Sequence, residues 1–255
     1  MRIVIKVGTS TLAHATGRLN IKHTGELCKV ISDLKNAGHE VILVSSGAIG
    51  MGVGKLGLKS RPEDIPTKQA AASVGQCELM YTYDKIFAEY SHTVGQILVT
   101  ASDFTHEDRH DNFVNTTNRL LELGVLPIIN ENDTIATDEI RFGDNDTLSA
   151  RVAAYTKADL LVILTDIDGL YTGDPKTDAT AKKIDVVTEI TDEILALAGG
   201  KGSALGTGGM ITKLHAAQIC VESGCYMIIT DGKQPASIYD ALEGKPVGTK
   251  FLAKK

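Results

Sequence analysis

The chain has 255 residues, with 26 Lys and Arg against 32 Asp and Glu, for a formal net charge of −6. An apolar fraction of 43% excludes a disordered chain, and the mildly acidic balance offers no general attraction to nucleic acid. The longest apolar runs, Val41–Val44, Val125–Ile129 and Leu160–Leu164, are strand-length, far short of the roughly 18 residues of a membrane span.

Met1–Val7 is a β-rich opening that runs straight into the small-residue turn Gly8-Thr9-Ser10. Asn20 reads as the cap of a helix whose apolar stripe is Leu27, Val30, Ile31 and Leu34, with Gly38 as its stop. Val41–Val44 is a continuous apolar strand, suited to a parallel sheet covered on both faces. A second turn, Ser45-Ser46-Gly47, leads into more helix. Lys68–Tyr90 is a long helical stretch, and Val94–Thr100 a strand. Phe113–Leu123 is helical and stops at Gly124, Val125–Ile129 is a strand, and Asp144 or Asn145 caps a helix through Thr156. Leu160–Leu164 is a strand, Met210–Ser223 a helix stopped by Gly224, and Tyr226–Ile229 a strand. Repeated strand–helix alternation means right-handed crossovers and a mostly parallel sheet between two helical layers. With no Pro/Ser-rich linker and no internal repeat, residues 1–255 read as one domain.

The four cysteines, Cys28, Cys77, Cys220 and Cys225, form no CxxC pair and read as reduced, buried thiols of a cytoplasmic protein. The opening residues lack the apolar segment and cleavage site of a signal peptide. Two motif matches fail on context. His106-Glu107-Asp108-Arg109-His110 fits HExxH, but charged middle positions and the lack of a third ligand favour a solvated polar loop over a zinc site. Gly52-Val53-Gly54-Lys55-Leu56-Gly57 fits GxGxxG, yet it starts seven residues after the strand end near Ser45. A dinucleotide fingerprint occupies the turn itself.

The chemistry gathers elsewhere. Lys6-Val7-Gly8-Thr9-Ser10, Ser45-Ser46-Gly47-Ala48, Thr165-Asp166-Ile167-Asp168-Gly169 and Gly206-Thr207-Gly208-Gly209-Met210 each follow a strand or open a helix. Ligands of open α/β sheets sit beyond the carboxyl ends of the strands. Glycines there let backbone N–H groups approach phosphate oxygens, and helix N-termini add positive dipole ends. Lys6 and Lys213 flank these turns. Asn130-Glu131-Asn132-Asp133 follows the strand Val125–Ile129, and Gly143-Asp144-Asn145-Asp146 stands at a helix start.

In this order, KVGTS, VSSGAIG, INENDTIA, FGDNDTLSA, LTDIDGLYTGDP and GTGGMITK closely resemble the glutamate 5-kinases of the amino acid kinase family, from Arg2 to about Phe251. The resemblance implies a three-layer αβα sandwich around a mostly parallel β-sheet. It also implies ATP and Mg²⁺ as cofactors, and transfer of a phosphoryl group to the γ-carboxylate of L-glutamate, the first step of proline biosynthesis. Many such kinases carry a C-terminal PUA domain, and the few residues after Val247-Gly248-Thr249 cannot supply one. A kinase of the same fold acting on another small carboxylate, carbamate or UMP is the alternative. A catalytically silent amino-acid sensor is expected to have lost a phosphate lysine, and both are present.

By the same resemblance, Lys6 and Lys213 contact phosphate oxygens on the two sides of the transfer, and Asp146 sits between them and orients them. Gly8 and Gly47 add backbone donors. Ser46, Gly47, Asn130, Asp133 and Asn145 match glutamate-binding positions. Lys6, Gly8, Thr165, Asp166 and the run Thr207, Gly208, Gly209, Met210, Ile211, Thr212 and Lys213 match the nucleotide site. Few protein metal ligands are expected, and none is assigned, since Mg²⁺ bound to ATP phosphates keeps several waters. Family members are often homo-oligomers, dimers or tetramers, and pass their product to glutamate 5-phosphate reductase.

Overall fold

The computed structural model describes residues 1–14, 16, 18–136, 145–175, 177–198 and 209–254. Among these, eight strands form one sheet in the order β3-β4-β2-β1-β5-β9-β10-β8: β1 (Arg2–Val7), β2 (Glu40–Ser45), β3 (Val94–Val99), β4 (Leu126–Glu131), β5 (Leu160–Thr165), β8 (Val186–Val187), β9 (Tyr226–Asp231) and β10 (Thr249–Phe251). β6 (Leu170–Tyr171) and β7 (Lys183–Ile184) pair antiparallel as a small separate sheet. From β3 to β9 every pairing is parallel; β10 pairs antiparallel with β9 and parallel with β8, so these two short strands run against the rest. The expected mostly parallel sheet is therefore present.

Strand alternation divides the core between two faces. Ile3, Ile5 and Val7 of β1, with Val41 and Leu43 of β2, pack against α2 (Ile21–Asn36) and α4 (Ile65–Ala88). Val4, Ile42 and Val44 face the other way, toward α5 (Glu107–Glu122), α6 (Asn145–Tyr155) and α8 (Met210–Glu222). The remaining helices are short: α1 (Thr9–Leu12), α3 (Ala48–Leu56), α7 (Asp192–Ala196) and α9 (Ser237–Leu242). No helix among the described residues is long and apolar enough to cross a membrane.

The expected signals hold with shifted edges. Asn20 caps α2 through the His23 N–H, and the stripe Leu27, Val30, Ile31 and Leu34 is buried. Gly38, Gly124 and Gly224 follow helix ends at positive φ, where an L side chain is strained. α4 starts a turn before Lys68, because the Asp64 carboxylate accepts from the Thr67 N–H and Pro66 fits a first turn. The segment expected as a polar loop is instead the start of α5. His106 precedes it and Glu107 and Asp108 occupy its first turn, where the helix dipole favours acids. His110 sets its ring edge-on to Tyr155, 4.5 Å between centroids. Three cysteines are buried as expected, but Cys77 is exposed on α4.

Gly52 and Gly54 lie inside α3, and Gly57 ends it at φ +66°. Their use is packing. A Cβ on Gly52 would stand 1.8 Å from the Ala71 carbonyl oxygen, and one on Gly75 would stand 1.8 Å from that of Ala48. The two helices touch backbone to backbone, which only glycine permits. Gly75→Ala is expected to force them apart and lower stability by about 1–3 kcal/mol. Chemical denaturation checks this, and an unchanged midpoint would show that the contact is looser than described.

Candidate active site

The alternation that builds the core also aims the first lysine. Val4 and Lys6 share the face of β1 covered by α6 and α8, so Lys6 at the strand end meets both helices. Its ammonium lies 2.8 Å from Asp146 Oδ1 at the start of α6, and Lys213 on α8 donates to Asp146 Oδ2 at 3.1 Å. Thr212 Oγ1 is 2.8 Å from Asp146 Oδ2 and equally close to the Gly209 carbonyl, so its single proton serves one of them at a time. Lys6, Asp146 and Lys213 are 8%, 1% and 3% exposed. Burial by itself pushes the Asp146 carboxyl up, but the charges of Lys6 and Lys213 and the hydrogen bonds from Lys6 and Thr212 outweigh it. They hold the group below the ordinary carboxylate range.

A second cluster forms two strands away. Asn130, expected in a loop after Val125–Ile129, lies inside β4, which runs on through Glu131; both are buried. Hydropathy ends a strand at its last apolar residue, whereas the ladder to β3 continues to Glu131. Asn145 Nδ2 donates to Ser46 Oγ at 2.8 Å and to Asn130 Oδ1 at 2.9 Å. Asn130 Nδ2 in turn donates to Gln76 Oε1 on α4 at 3.0 Å. Asn145 thus reaches sideways to neighbouring elements from the helix start where a cap was expected.

Beside this cluster is a cleft of about 210 Å³ lined by residues that include Ala48, Gln76, Glu131, Asn132 and Asp133. It is smaller than the roughly 300–1,000 Å³ of pockets for drug-sized ligands. Burial pushes the Asp133 carboxyl up to about 6, against the opposing charge of Arg61. At the turn between the clusters, the Ser46 N–H donates to the Val7 carbonyl at 3.0 Å, and Gly47 opens α3 at φ +111° with no side-chain cap.

Residues 1–231 match the Amino acid kinase family. The chain is 54% identical to the glutamate 5-kinase of Clostridium acetobutylicum, over 99% of its own length and 95% of that protein's. The chain belongs to the amino acid kinase family, on its glutamate 5-kinase branch. The glutamate 5-kinase of Clostridium perfringens is 52% identical over 100% of this chain and 96% of its own. Among solved structures, carbamate kinase from Giardia lamblia superposes with a TM-score of 0.70 at 18% identity, covering 99% of this chain and 98% of that one. This likeness speaks for the fold, a family sandwich of two helical layers around a mostly parallel sheet.

Within this kinase-family fold, the expected site residues fall into three places. Lys6, Asp146, Lys213 and Thr212 converge on one carboxylate. Ser46, Asn130 and Asn145 form the amide cluster, with Asp133 in the adjoining cleft. Thr165 and Asp166 stand at the end of β5, next to β1 in the sheet, and Gly209, Met210 and Ile211 open α8. Gly8 caps α1, close enough that an added Cβ would lie 3.7 Å from the Lys6 ammonium. Thr207 and Gly208 lie outside the described residues, as does Asp144.

Gln76 was not legible as a site residue. Its signal is a polar side chain on the buried stripe Ala72, Gln76, Leu79, Tyr83 and Phe87 of α4, where every neighbour is apolar or tied to a partner.

Proposed function

We propose that this chain transfers the γ-phosphoryl group of ATP to the γ-carboxylate of L-glutamate, forming ADP and L-glutamate 5-phosphate. The observation that carries this reading is the buried Lys6–Asp146–Lys213 bridge at the carboxyl edge of the sheet. The 52–54% identity to glutamate 5-kinases supports it. The acceptor carboxylate, with an ordinary pKa near 4.3, is ionised at pH 7, so the reaction needs no general base. The obstacle is repulsion between two anions. Phosphoryl transfer is accordingly a matter of alignment and of fixed positive charge around the migrating group.

The two lysines supply that charge, and Asp146 holds them apart at the spacing of its own two oxygens. An ammonium carries three donors, so Lys6 can keep Asp146 and bind an oxygen of the transferring group at once. The α8 N-terminus, whose Gly209 cap makes no side-chain bond, suits nucleotide phosphates, as do the neighbouring Thr165 and Asp166. Mg²⁺ spreads the phosphate charge when bound. Bound to ATP oxygens, the cation would keep several of its waters.

Ser46, Asn145 and Asn130 orient the acceptor, and Asp133 meets its α-ammonium group. Only the ionised Asp133 does this, and its carboxyl protonates near pH 6. The KM for glutamate is therefore expected to rise as pH falls through about 6 and to level off above it. Asp133→Asn should raise KM by about ten- to a hundredfold and remove that pH limb. A pH profile of kcat/KM checks both, and a limb that survives in the variant would belong to another group.

On the same reading the chain acts in the cytoplasm as a homo-oligomer, a dimer or tetramer. It hands its acyl phosphate to a glutamate 5-phosphate reductase. The deciding experiment is ADP release with Mg-ATP against glutamate, N-acetylglutamate, aspartate, carbamate and UMP, with hydroxylamine present to trap an acyl phosphate. Glutamate-dependent ADP with trapped hydroxamate supports the reaction. Turnover of another acceptor alone would overturn the substrate and keep the lysine roles.

A further inference from the structure

Gln76 is 9% exposed and faces the cleft that Asp133 also lines. The glycine contact at Gly75 draws α4 close against α3 at this point in the chain. β4 alternation turns Asn130 to the same side as Leu126 and Ile128, the face that α4 covers. The amide chain from Ser46 through Asn145 and Asn130 ends on Gln76 Oε1 and spends both N–H donors of Asn145. Two buried polar atoms of this amide chain have no hydrogen-bond partner among the described residues, Asn145 Oδ1 within it and Gln76 Nε2 at its end. A buried polar atom left unpaired is costly, and at a cleft wall it marks the place of a ligand group of opposite hydrogen-bonding sense.

We propose that Gln76 is a substrate-binding residue whose Nε2–H donates to the α-carboxylate of the acceptor and so selects an α-amino acid over a simple ω-amino acid. This rests on the reading of the acceptor as glutamate. The reacting γ-carboxylate must lie at the lysine bridge, at the end of β1. β4 is two strands away, about 10 Å at the usual inter-strand spacing, a span that suits the length of a five-carbon dicarboxylic acid. The α-carbon end then reaches the cleft that Asp133 and Gln76 both line, the carboxylate for its ammonium and the amide for its carboxylate. Among the described residues, the cleft lining includes Glu131 and Asp133 but neither lysine nor arginine, and the Arg61 charge reaches it through Asp133. Among the described lining residues, Gln76 Nε2 is the buried side-chain donor that has no hydrogen-bond partner, and so the one placed to meet a carboxylate entering the cleft.

The test is Gln76→Glu, which keeps an oxygen to accept from Asn130 and replaces the donor with an anion. Glutamate, 4-aminobutyrate (glutamate without its α-carboxylate) and isoglutamine (glutamate with an α-carboxamide) are compared by calorimetric titration and by turnover. Gln76→Glu is expected to weaken glutamate about ten- to a hundredfold, mainly in KM. It should shift 4-aminobutyrate much less and improve isoglutamine relative to glutamate, because the amide donates where the carboxylate could only repel. Equal losses on all three acceptors, or an unchanged glutamate affinity, would overturn the proposal and leave Gln76 as support for Asn130. Should Gln76→Glu fail to fold, Gln76→Met carries the comparison of glutamate with 4-aminobutyrate. Calorimetry keeps this separate from the proposed reaction: a chain that binds glutamate without phosphorylating it refutes the reaction and still tests Gln76.

Discussion

Replacing Lys213 by alanine is expected to lower kcat by about 10²–10³-fold, the usual cost of removing one preorganised donor from developing charge. The ammonium is fixed before any substrate arrives, 3% exposed and 3.1 Å from Asp146 Oδ2, so its interaction is not spent on reorganisation. On the proposed reading the α-carbon end of the acceptor is held at the cleft by Asp133, away from Lys213, so glutamate binding should barely change. The signature is thus a fall in kcat with KM for glutamate nearly constant, as for an interaction made in the transition state. Lys213→Met, which keeps the unbranched volume without the charge, separates this from a packing defect. Steady-state kinetics with a melting curve decide it. Unchanged turnover in the methionine variant would remove Lys213 from the mechanism and leave Lys6 as the only lysine of the bridge.

That Lys6 and Lys213 belong together was readable from the chain, and the reason is local. Each sits beside a glycine-rich turn, at a strand end or one turn into a helix, where a lysine has no apolar surface to cover. Asp146 was readable by family motif, but its two-sided bridge was not. It depends on which face of β1 Lys6 takes and on α6 and α8 packing side by side, both long-range facts. The parallel sheet followed from Val41–Val44 and Leu160–Leu164, runs that only a doubly covered strand carries. β10 escaped because three residues, Thr249–Phe251, have no measurable period, and its place is revealed only by Phe251 being fully buried. Gln76, and the extension of β4 through Asn130 and Glu131, escaped for the converse reason, although Asn130 itself was read as a site residue. Polar residues read as solvent-facing until a partner from a distant element is known, and Gln76 lies 54 positions from Asn130.

Asp146→Asn is expected to be the most damaging substitution to the resting protein. Its side chain has the same shape, so the change is one of charge. Two ammonium groups, 8% and 3% exposed, would then share a buried site without the carboxylate that now bridges them. Breaking a buried ion pair by removing one partner costs about 3–5 kcal/mol, because the remaining charge is paid for in desolvation. The pH dependence carries the sign of the depressed carboxyl. Asp146 contributes its stability above the unfolded carboxylate value near 3.9 and loses it as pH falls further, through the lower folded value. The gap between the two proteins in chemical denaturation should therefore be full at pH 7 and shrink below about pH 4. Nucleotide offers a second readout, since phosphate oxygens can supply the missing negative charge. ATP should raise the melting temperature of Asp146→Asn by more than that of the unsubstituted chain, even though the variant turns over slowly for want of fixed lysines. An asparagine variant as stable as the parent at pH 7, with the same response to ATP, would show that Lys6 and Lys213 are not both charged in the free protein. The electrostatic account of the bridge would then have to be abandoned.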